Sequence, residues 1–400
     1  MLIKKIKVYL VIIFISLIFS LYLSEAYLTF IKKGGKNYLN DISSKIKIFK
    51  KLTGKRYDIR TPYEAFKEMV VIDKNSSITF SPQNHFNKNI LPLSGISNAK
   101  TIHCNENGYY SEYLSDRHGF NNPDVEWDSE EIEYLIVGDS FAHGACVNRP
   151  HDFSSVLRTL SKKSAINLGI QGNGPLTEYA SLREYAPKNV KNIIWFYYEE
   201  NDLRDLSFEI ENKILVKYLK DKNFSQNLIE KQNFIDETLK SDLTKQIAAV
   251  KKNEEYWKKF FSNKKIFLRF IRLDKIKNIF TSKGEKKDIS LSDQNLEQFK
   301  KILTLTKELS IENNSNLYFV YLGSYYRYKN ILFKPDKLFK YSSIAKIVND
   351  LDIPFIDTNE AFFLKEKNPI SYYPFGKYGH YTTEGYNKLS SIIYHFIKKK

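Results

Sequence analysis

The sequence predicts an α/β domain over residues 129–400, with helices covering both faces of a parallel sheet. Short apolar runs rich in β-branched residues recur in this range, and turn-forming residues such as glycine bound them, as is typical of buried strands. Segments with apolar residues at helical spacing lie between successive runs. This alternation indicates parallel strands joined by crossover helices, which together form a three-layer α/β/α sandwich.

One long helical insertion interrupts the predicted alternation of strands and helices. The strands are expected at residues 134–137, 165–168, 192–198, 316–322 and 353–356. The helices are expected at residues 153–161, 176–185, 340–349 and 384–398. Between about residues 203 and 309, apolar residues at helical spacing among Lys, Glu and Asn predict a helical insertion. This insertion either packs as an appendage or covers the carboxyl ends of the strands as a lid.

Length and composition bound the class of protein. A chain of 400 residues can hold a sizeable core and more than one structural unit. Its 42% hydrophobic and 15% aromatic residues indicate a globular rather than a disordered chain. The formal net charge of +16 comes mostly from lysines spread along the chain, without an aromatic and arginine motif typical of RNA binding. We therefore expect no nucleic-acid partner.

Residues 1–31 predict a membrane anchor or a signal. Lys4, Lys5 and Lys7 precede an apolar run at residues 8–23, which is the pattern of a positive segment followed by a hydrophobic core. An uncleaved anchor, with the membrane as its partner, is favoured over a signal peptide cleaved near residues 24–26, although both stay open. In either case the main domain is expected on the periplasmic or extracellular side, because lysines favour a cytoplasmic N-terminus.

Residues 32–128 are interpreted as a linker followed by an N-terminal subdomain. The first part is polar and rich in lysine. Residues 101–104 and 109–114 alternate in polarity on either side of Asn105–Gly108, which predicts a β-hairpin.

The two cysteines, Cys104 and Cys146, suit an exported protein with one possible disulfide, the alternative being two buried thiols. A bridge would hold the upstream segment beside Ser140, which lies six positions before Cys146. The sequence has no Cys-x-x-Cys pair and its histidines are scattered, so we expect neither a metal nor another cofactor.

Four polar loops follow predicted strands and can converge at one edge of the sheet. They carry Ser140, Gly172, Asn201 and His380. A serine hydroxyl becomes a good nucleophile only when a base such as histidine takes its proton. The backbone N–H groups of Ser140 and Gly172 and the Asn201 amide would then stabilise the oxyanion. Each residue alone also suits a cap or a turn, but the four together predict acyl transfer.

These loops resemble the sequence blocks of SGNH hydrolases, also called GDSL esterases or lipases. Gly138-Asp139-Ser140 resembles the nucleophile block, residues 167–172 the oxyanion glycine block, Asn201-Asp202 the asparagine block, and His380 the histidine block. The resemblance covers roughly residues 130–400 without the insertion. It implies a flavodoxin-like α/β/α sandwich of the SGNH-hydrolase type, with Ser140 as nucleophile and His380 as general base.

The resemblance has two departures. The family usually has an aspartate three residues before the histidine, and Lys377 stands at that position here. Glu199 stands where the asparagine block usually has a glycine. Either a backbone carbonyl orients His380 in a Ser–His dyad, or another acid orients it, and Asp357, which follows the last predicted strand, is the first candidate for that acid. Because an orienting acid can be worth orders of magnitude in rate, the activity is expected to be weak if none is present.

The sequence-based hypothesis is a membrane-anchored serine hydrolase or acyltransferase acting on ester-linked acyl groups. The substrate is an acylated small molecule or polysaccharide, and acetyl groups on cell-envelope polysaccharide are inferred from the compartment and the resemblance. The alternative is a module with the same fold but lapsed catalysis, which binds a glycan or a protein in the envelope. The oligomeric state stays open.

Overall fold

The computed structural model describes residues 2–27, 35–81, 90–260, 271–273, 276–277, 293–329 and 335–400. The chain divides into two compact units. The first comprises Met1–Lys47 and Lys245–Asp288, and the second comprises Ile48–Thr244 and Ile289–Lys400. Both sheets and all the predicted site residues belong to the second unit.

The first unit contains the apolar N-terminal helix, α1 (Leu2–Ala26). Within it, Lys5–Ala26 is long and apolar enough to cross a membrane, and most of its large apolar side chains are exposed. A signal sequence has the same features, so anchor and signal both remain open. A second helix, α2 (Gly35–Thr53), begins in this unit.

A small mixed sheet opens the second unit. It follows α3 (Pro62–Ile72), which Thr61 and Glu64 begin with a capping box. Within the described residues this sheet has the order β1-β2-β3, with strands Ser76–Ile78, Lys100–Ile102 and Glu112–Leu114. The first pair of strands is parallel and the second is antiparallel. The predicted hairpin is therefore confirmed, with shorter strands and a longer connecting loop at residues 103–111.

The main sheet is parallel throughout the part of the chain that the structure describes. Its five strands have the order β5-β4-β6-β7-β8. They are β4 (Ile132–Val137), β5 (Ala165–Asn167), β6 (Val190–Tyr198), β7 (Asn316–Leu322) and β8 (Phe355–Asp357). Numbered from β4, this is the order 2-1-3-4-5 of flavodoxin-like sheets. The predicted fold class is confirmed.

Helices cover both faces of this sheet. On one face lie α5 (Phe153–Ser161) and the last helix, α15 (Thr383–Lys398), which contact each other. On the other lie α6 (Pro175–Tyr185), α7 (Asp202–Glu209), α8 (Leu215–Lys220) and α10 (Asp293–Glu312). The remaining helices are α4 (Ser140–His143), α9 (Gln232–Phe260), α11 (Tyr325–Lys329), α12 (Pro335–Phe339), α13 (Tyr341–Asp350) and α14 (Thr358–Ala361).

Alternate residues of each strand face opposite layers, as the pleat requires. On β6, Ile194 and Phe196 belong to the core beneath α5 and α15. Tyr197, next in sequence, points to the opposite face and lies 5.3 Å from the Phe299 ring of α10. Both faces of the sheet are therefore buried, so its strands appear in the sequence as continuous apolar runs and not as alternating apolar and polar residues.

The described parts of the predicted insertion are helical. Helices α7 and α10 pack against α6, and Asn295 donates a hydrogen bond to the Leu203 carbonyl. Helices α7 and α10 therefore belong to the helical layer of the sandwich, whereas α9 from Lys245 onward belongs to the first unit. The predicted lid stays a prediction, and residues 261–270, 274–275 and 278–292 of the insertion lie outside the described residues.

Candidate active site

The turn after β4 presents Ser140 at the carboxyl edge of the main sheet. Gly138 has a φ of +154°, and a Cβ there would lie 2.6 Å from the Ala142 Cβ, so only glycine fits without displacing the helix. Asp139 caps α4 by accepting a hydrogen bond from the Phe141 backbone N–H at 2.9 Å. Ser140 is the first residue of α4, and its side chain lines a cleft.

His380 reaches the same point from the loop before α15. Its Nε2 lies 2.8 Å from Ser140 Oγ, although the two residues are 240 positions apart. Thr382 caps α15 by accepting from the Gly385 N–H, and its own N–H donates to the Tyr372 carbonyl. These bonds fix the loop that carries the imidazole. The distance is that expected between a nucleophile and its general base.

A carboxylate that the sequence analysis did not single out holds the other side of the imidazole. Glu106 Oε1 lies 3.1 Å from His380 Nδ1, and Glu106 Oε2 accepts the His380 backbone N–H at 2.6 Å. A Cβ on Gly379 would lie 2.6 Å from Glu106 Oε2, so the glycine leaves room for this approach. An ionised carboxylate only accepts hydrogen bonds, so Nδ1 carries the proton and Nε2 is left to accept from the Ser140 hydroxyl.

The prediction that Asp357 orients His380 is wrong, because Asp357 is engaged elsewhere. It accepts the Asn359 backbone N–H at 2.8 Å and the Tyr341 hydroxyl at 2.6 Å. It therefore caps the turn after β8, while the His380 Nδ1 position is taken by Glu106. The substitution at Lys377 does not leave the imidazole without an acid.

Three contacts attach the Glu106 loop to the segment that follows Ser140. Cys104 and Cys146 form a disulfide with a Cα–Cα distance of 4.9 Å. Asn107 Nδ2 donates to the Cys146 carbonyl at 2.9 Å, and Asn148 Oδ1 accepts the Glu112 backbone N–H at 2.9 Å. The cysteine spacing was the available signal for Glu106, because a bridge from Cys104 to Cys146 brings any acid beside Cys104 toward Ser140.

The two other predicted oxyanion donors differ in whether they line the cleft. Asn201 lines the cleft with Ser140, and its Nδ2 donates to Asp139 Oδ2 at 3.2 Å and to Asp205 Oδ2 at 3.1 Å. Gly172, with a φ of +82°, is not among the described residues that line the cleft, and a Cβ on it would lie 2.9 Å from Ser81 Oγ. Oxyanion roles for these residues stay predictions.

The cleft has a volume of about 170 Å³. The residues that line it include Ser140, His380 and Phe141, the neighbouring Glu106, Asp139, Asn201 and Gly379, and a polar wall. The polar wall consists of Tyr198, Glu200, Arg204 and Tyr378. This volume is below the range of drug-sized ligand pockets.

Burial and neighbouring charges shift the site's pKa values. Burial lowers the pKa of His380, but the Glu106 carboxylate and its hydrogen bond outweigh this, so the pKa lies above the ordinary value of 6.5. Burial raises the pKa of Asp139, partly offset by the Phe141 N–H. The Glu106 carboxylate beside the imidazole stabilises the cationic form that a general base passes through.

Among the described residues, one group of potential metal ligands lies at the site. Ligand atoms of Glu106, Cys146 and His380 are within 4.8 Å of one another. The Cys146 sulfur belongs to the disulfide, and Glu106 and His380 bond each other. This group therefore offers no thiolate, and the arrangement suits nucleophilic rather than metal chemistry.

Comparisons with known proteins give fold neighbours only. No family model and no curated protein matches the chain. Among solved structures, a protein assigned to the lipolytic G-D-S-L family from Desulfitobacterium hafniense DCB-2 is 12% identical with a TM-score of 0.34, covering 66% of this chain and 99% of its own. An acetyl xylan esterase, AlAXEase, is 12% identical with a TM-score of 0.35, covering 66% of this chain and 100% of its own. Such values carry no argument about activity, which rests on the geometry of the site.

Proposed function

We propose that this protein is a serine-dependent enzyme that hydrolyses or transfers ester-linked acyl groups. The observation that carries the proposal is the continuous set of hydrogen bonds from Ser140 Oγ through His380 to Glu106, at 2.8 and 3.1 Å. A nucleophile, a base and a group that orients the base are the three parts that acyl transfer requires.

In the proposed reaction, Ser140 Oγ attacks the ester carbonyl carbon and His380 Nε2 takes the hydroxyl proton. The resulting tetrahedral oxyanion collapses, the bond to the alcohol oxygen breaks, and His380 returns the proton to that oxygen. An acyl group remains on Ser140. Water, or a hydroxyl of a second molecule, then attacks the acyl-enzyme in the same way and restores the serine. Glu106 stabilises the imidazolium in both halves.

The oxyanion donors proposed here are the Ser140 and Gly172 N–H groups and the Asn201 amide. Asn201 lies at the cleft, so its amide needs only to exchange one of its bonds to Asp139 or Asp205 for the oxyanion. Such a donor is worth roughly 10²–10³-fold in rate in comparable sites.

The proposed substrate carries a short acyl group on a molecule outside the cytoplasm, namely as acetyl esters on cell-envelope polysaccharide. The volume of the cleft supports the short acyl group. The candidate span Lys5–Ala26 supports an exported, membrane-associated protein. Water and a sugar hydroxyl are both chemically competent acceptors.

The non-enzymatic alternative predicts an imidazole without an orienting group. Glu106 lies within hydrogen-bond distance of His380 Nδ1, and this observation supports the enzyme over the lapsed module.

The test uses the full chain in detergent with 4-nitrophenyl acetate as substrate. We expect Ser140→Ala to lower kcat/KM by about 10³-fold or more, because the residual rate comes only from binding and the oxyanion site. Ser241→Ala, an exposed serine on α9, is the matched control. A fluorophosphonate probe should label wild type on Ser140 and leave Ser140→Ala unlabelled. Equal hydrolysis by wild type and Ser140→Ala would refute the proposal.

A further inference from the structure

Two tyrosine rings are exposed beside the candidate active site. Tyr378 lines the cleft and is 46% exposed, and Tyr326 on α11 is 43% exposed. Their rings are stacked, with centroids 5.4 Å apart and planes inclined by 28°. Large aromatic rings are usually mostly buried, so two stacked rings open to solvent at the mouth of a cleft indicate a binding surface.

The ring of Tyr378 is anchored by a carboxylate that the proposed acyl-transfer steps do not use. Glu200 Oε1 accepts the Tyr378 hydroxyl at 3.1 Å, and Glu200 Oε2 accepts the hydroxyls of Tyr198 and Ser324 at 2.8 and 2.9 Å. Ser324 Oγ in turn accepts the Tyr326 backbone N–H at 3.2 Å. Glu200 therefore connects the loop that carries Tyr378, through Ser324, to the backbone of α11, which carries Tyr326. Rings fixed before binding lose little conformational entropy when a ligand arrives.

The polar groups around the rings suit a ligand that carries hydroxyls. Arg204 lines the same cleft, half exposed, and donates from Nε to the adjacent Asp205 at 3.3 Å. Its guanidinium presents further donors, and a carboxylate such as Glu200 can accept up to about four hydrogen bonds. An apolar acyl chain would not use the remaining guanidinium donors of Arg204 or the remaining acceptor position of Glu200, and desolvating unpaired polar groups is costly.

The volume of the cleft indicates where the acyl group and its carrier bind. A volume of about 170 Å³ is small for an acyl group together with a bulky alcohol. We therefore expect the carrier to extend to the mouth, beside Tyr378. A pyranose presents a face of C–H groups to an aromatic ring and hydroxyls around its edge, which matches a ring pair bordered by Arg204 and Glu200.

We propose that Tyr326 and Tyr378 form a subsite that binds a sugar ring of the acyl carrier. The subsite rests on the proposed function, because it assigns the substrate of the same cleft to the acylated carbohydrates. The ring pair contributes binding of the carrier, and Ser140 and His380 carry out the chemistry. Loss of the ring should therefore weaken use of sugar esters more than use of esters without a sugar.

The test compares two acetyl esters on the full-length protein: O-acetylated methyl pyranosides as a panel, and 4-nitrophenyl acetate. Tyr326 is the residue to change, because Tyr378 lies two positions before His380. We expect Tyr326→Ala to lower the ratio of kcat/KM for the preferred sugar ester to that for the aryl ester by roughly fivefold to tenfold, mainly through KM. Tyr326→Phe keeps the ring and should keep the ratio within about twofold. Phe234→Ala, another exposed ring on α9, controls for surface changes.

Titration of the Ser140→Ala protein with deacetylated oligosaccharides, followed by saturation-transfer NMR, measures the subsite without catalysis. Binding that is lost in Ser140→Ala/Tyr326→Ala supports the subsite even if no ester is cleaved. Cleavage of the aryl ester together with no preference for sugar esters and no Tyr326-dependent sugar binding would overturn the subsite and leave the proposed function standing. Absence of all ester cleavage and of Ser140 labelling would instead refute the proposed function.

Discussion

The two sheets of the second unit contribute to the candidate site in different ways. The five-stranded sheet places Ser140 and Asn201 directly at the ends of β4 and β6, where the strand geometry itself sets their position. The three-stranded sheet contributes Glu106 from the loop between β2 and β3. That loop is held at the site by the Cys104–Cys146 disulfide and by two hydrogen bonds.

This difference shows which site residues are positioned by a strand of the buried sheet and which are positioned only by the tertiary contacts of a loop. A residue at a strand end is located by the backbone of a buried sheet, which is rigid and strongly specified. A residue in a connecting loop is located only by the contacts that the loop makes. We therefore expect the position of the nucleophile to be robust, and the positions of the base and of the orienting acid to depend on the contacts of their loops.

The largest expected effect is on activity, from Glu106→Gln. Glutamine keeps the shape of the side chain but removes the charge that stabilises the imidazolium, so kcat should fall by about 10²–10⁴-fold. The base works as the neutral imidazole, and Glu106 raises the pKa of His380. The acid limb of the kcat/KM profile should therefore lie above pH 6.5 in the wild type and move to lower pH in Glu106→Gln.

Asp357→Asn is the matched control, because it makes the same change on the acid that caps the turn after β8. We expect its kcat to stay within about threefold of wild type and its pH profile to stay in place. A larger loss in Asp357→Asn than in Glu106→Gln would assign the orienting role back to the main sheet.

The next effect tests the attachment of the loop. Cys104 and Cys146 are 42 positions apart, and closing a loop of that length stabilises a fold by about 4 kcal/mol in the chain-entropy model. Cys104→Ser/Cys146→Ser should lower the free energy of unfolding by up to that amount. It should also lower kcat by about tenfold at a temperature where the variant is folded, because Glu106 would be less well placed.

A double-variant cycle distinguishes the two consequences of removing the disulfide. If the bridge acts on catalysis through Glu106, its removal in a Glu106→Gln background should leave kcat almost unchanged while stability still falls. Independent, multiplying losses of kcat in that background would show that the bridge supports Ser140 or His380 instead. Circular dichroism and urea titration of all four proteins measure the free energy of unfolding that goes with each change.

Much of the fold could be predicted from sequence, because buried parallel strands appear as apolar runs with turn residues at their ends. Ser140, Asn201 and His380 were found since each follows such a run or precedes the final amphipathic helix. Glu106 was not predicted as a site residue, because the hairpin pattern accounts for Asn105–Gly108 as a turn. That pattern carries no information about which residues the turn contacts in the folded protein. Asp357 was chosen for its place after a strand, but its own turn takes up its carboxylate through the Asn359 N–H.

The smallest expected effect concerns the contact between the two regions rather than the chemistry. His103 follows β2 and His143 lies in α4, and their buried rings have centroids 4.1 Å apart. Burial lowers the pKa of His143 to about 3, and burial also holds the pKa of His103 well below 6.5. Between pH 6.5 and about 3 the unfolded chain binds a proton at His143 that the folded chain does not, so stability falls as the pH falls through this window.

At pH 5 the His143 contribution should lower the free energy of unfolding by about 2 kcal/mol relative to pH 7. Asp116 and Glu209, whose pKa values burial raises to about 6 and about 7, act in the opposite direction in every variant. The effect is therefore measured as a difference between the variant and the wild type. In urea titrations, the free energy of unfolding should fall less between pH 7 and pH 5 in His143→Phe than in the wild type. His395→Gln, on the exposed side of α15, should behave as wild type. The same loss in His143→Phe and wild type would mean that the contact between the two sheets does not respond to acid through this pair.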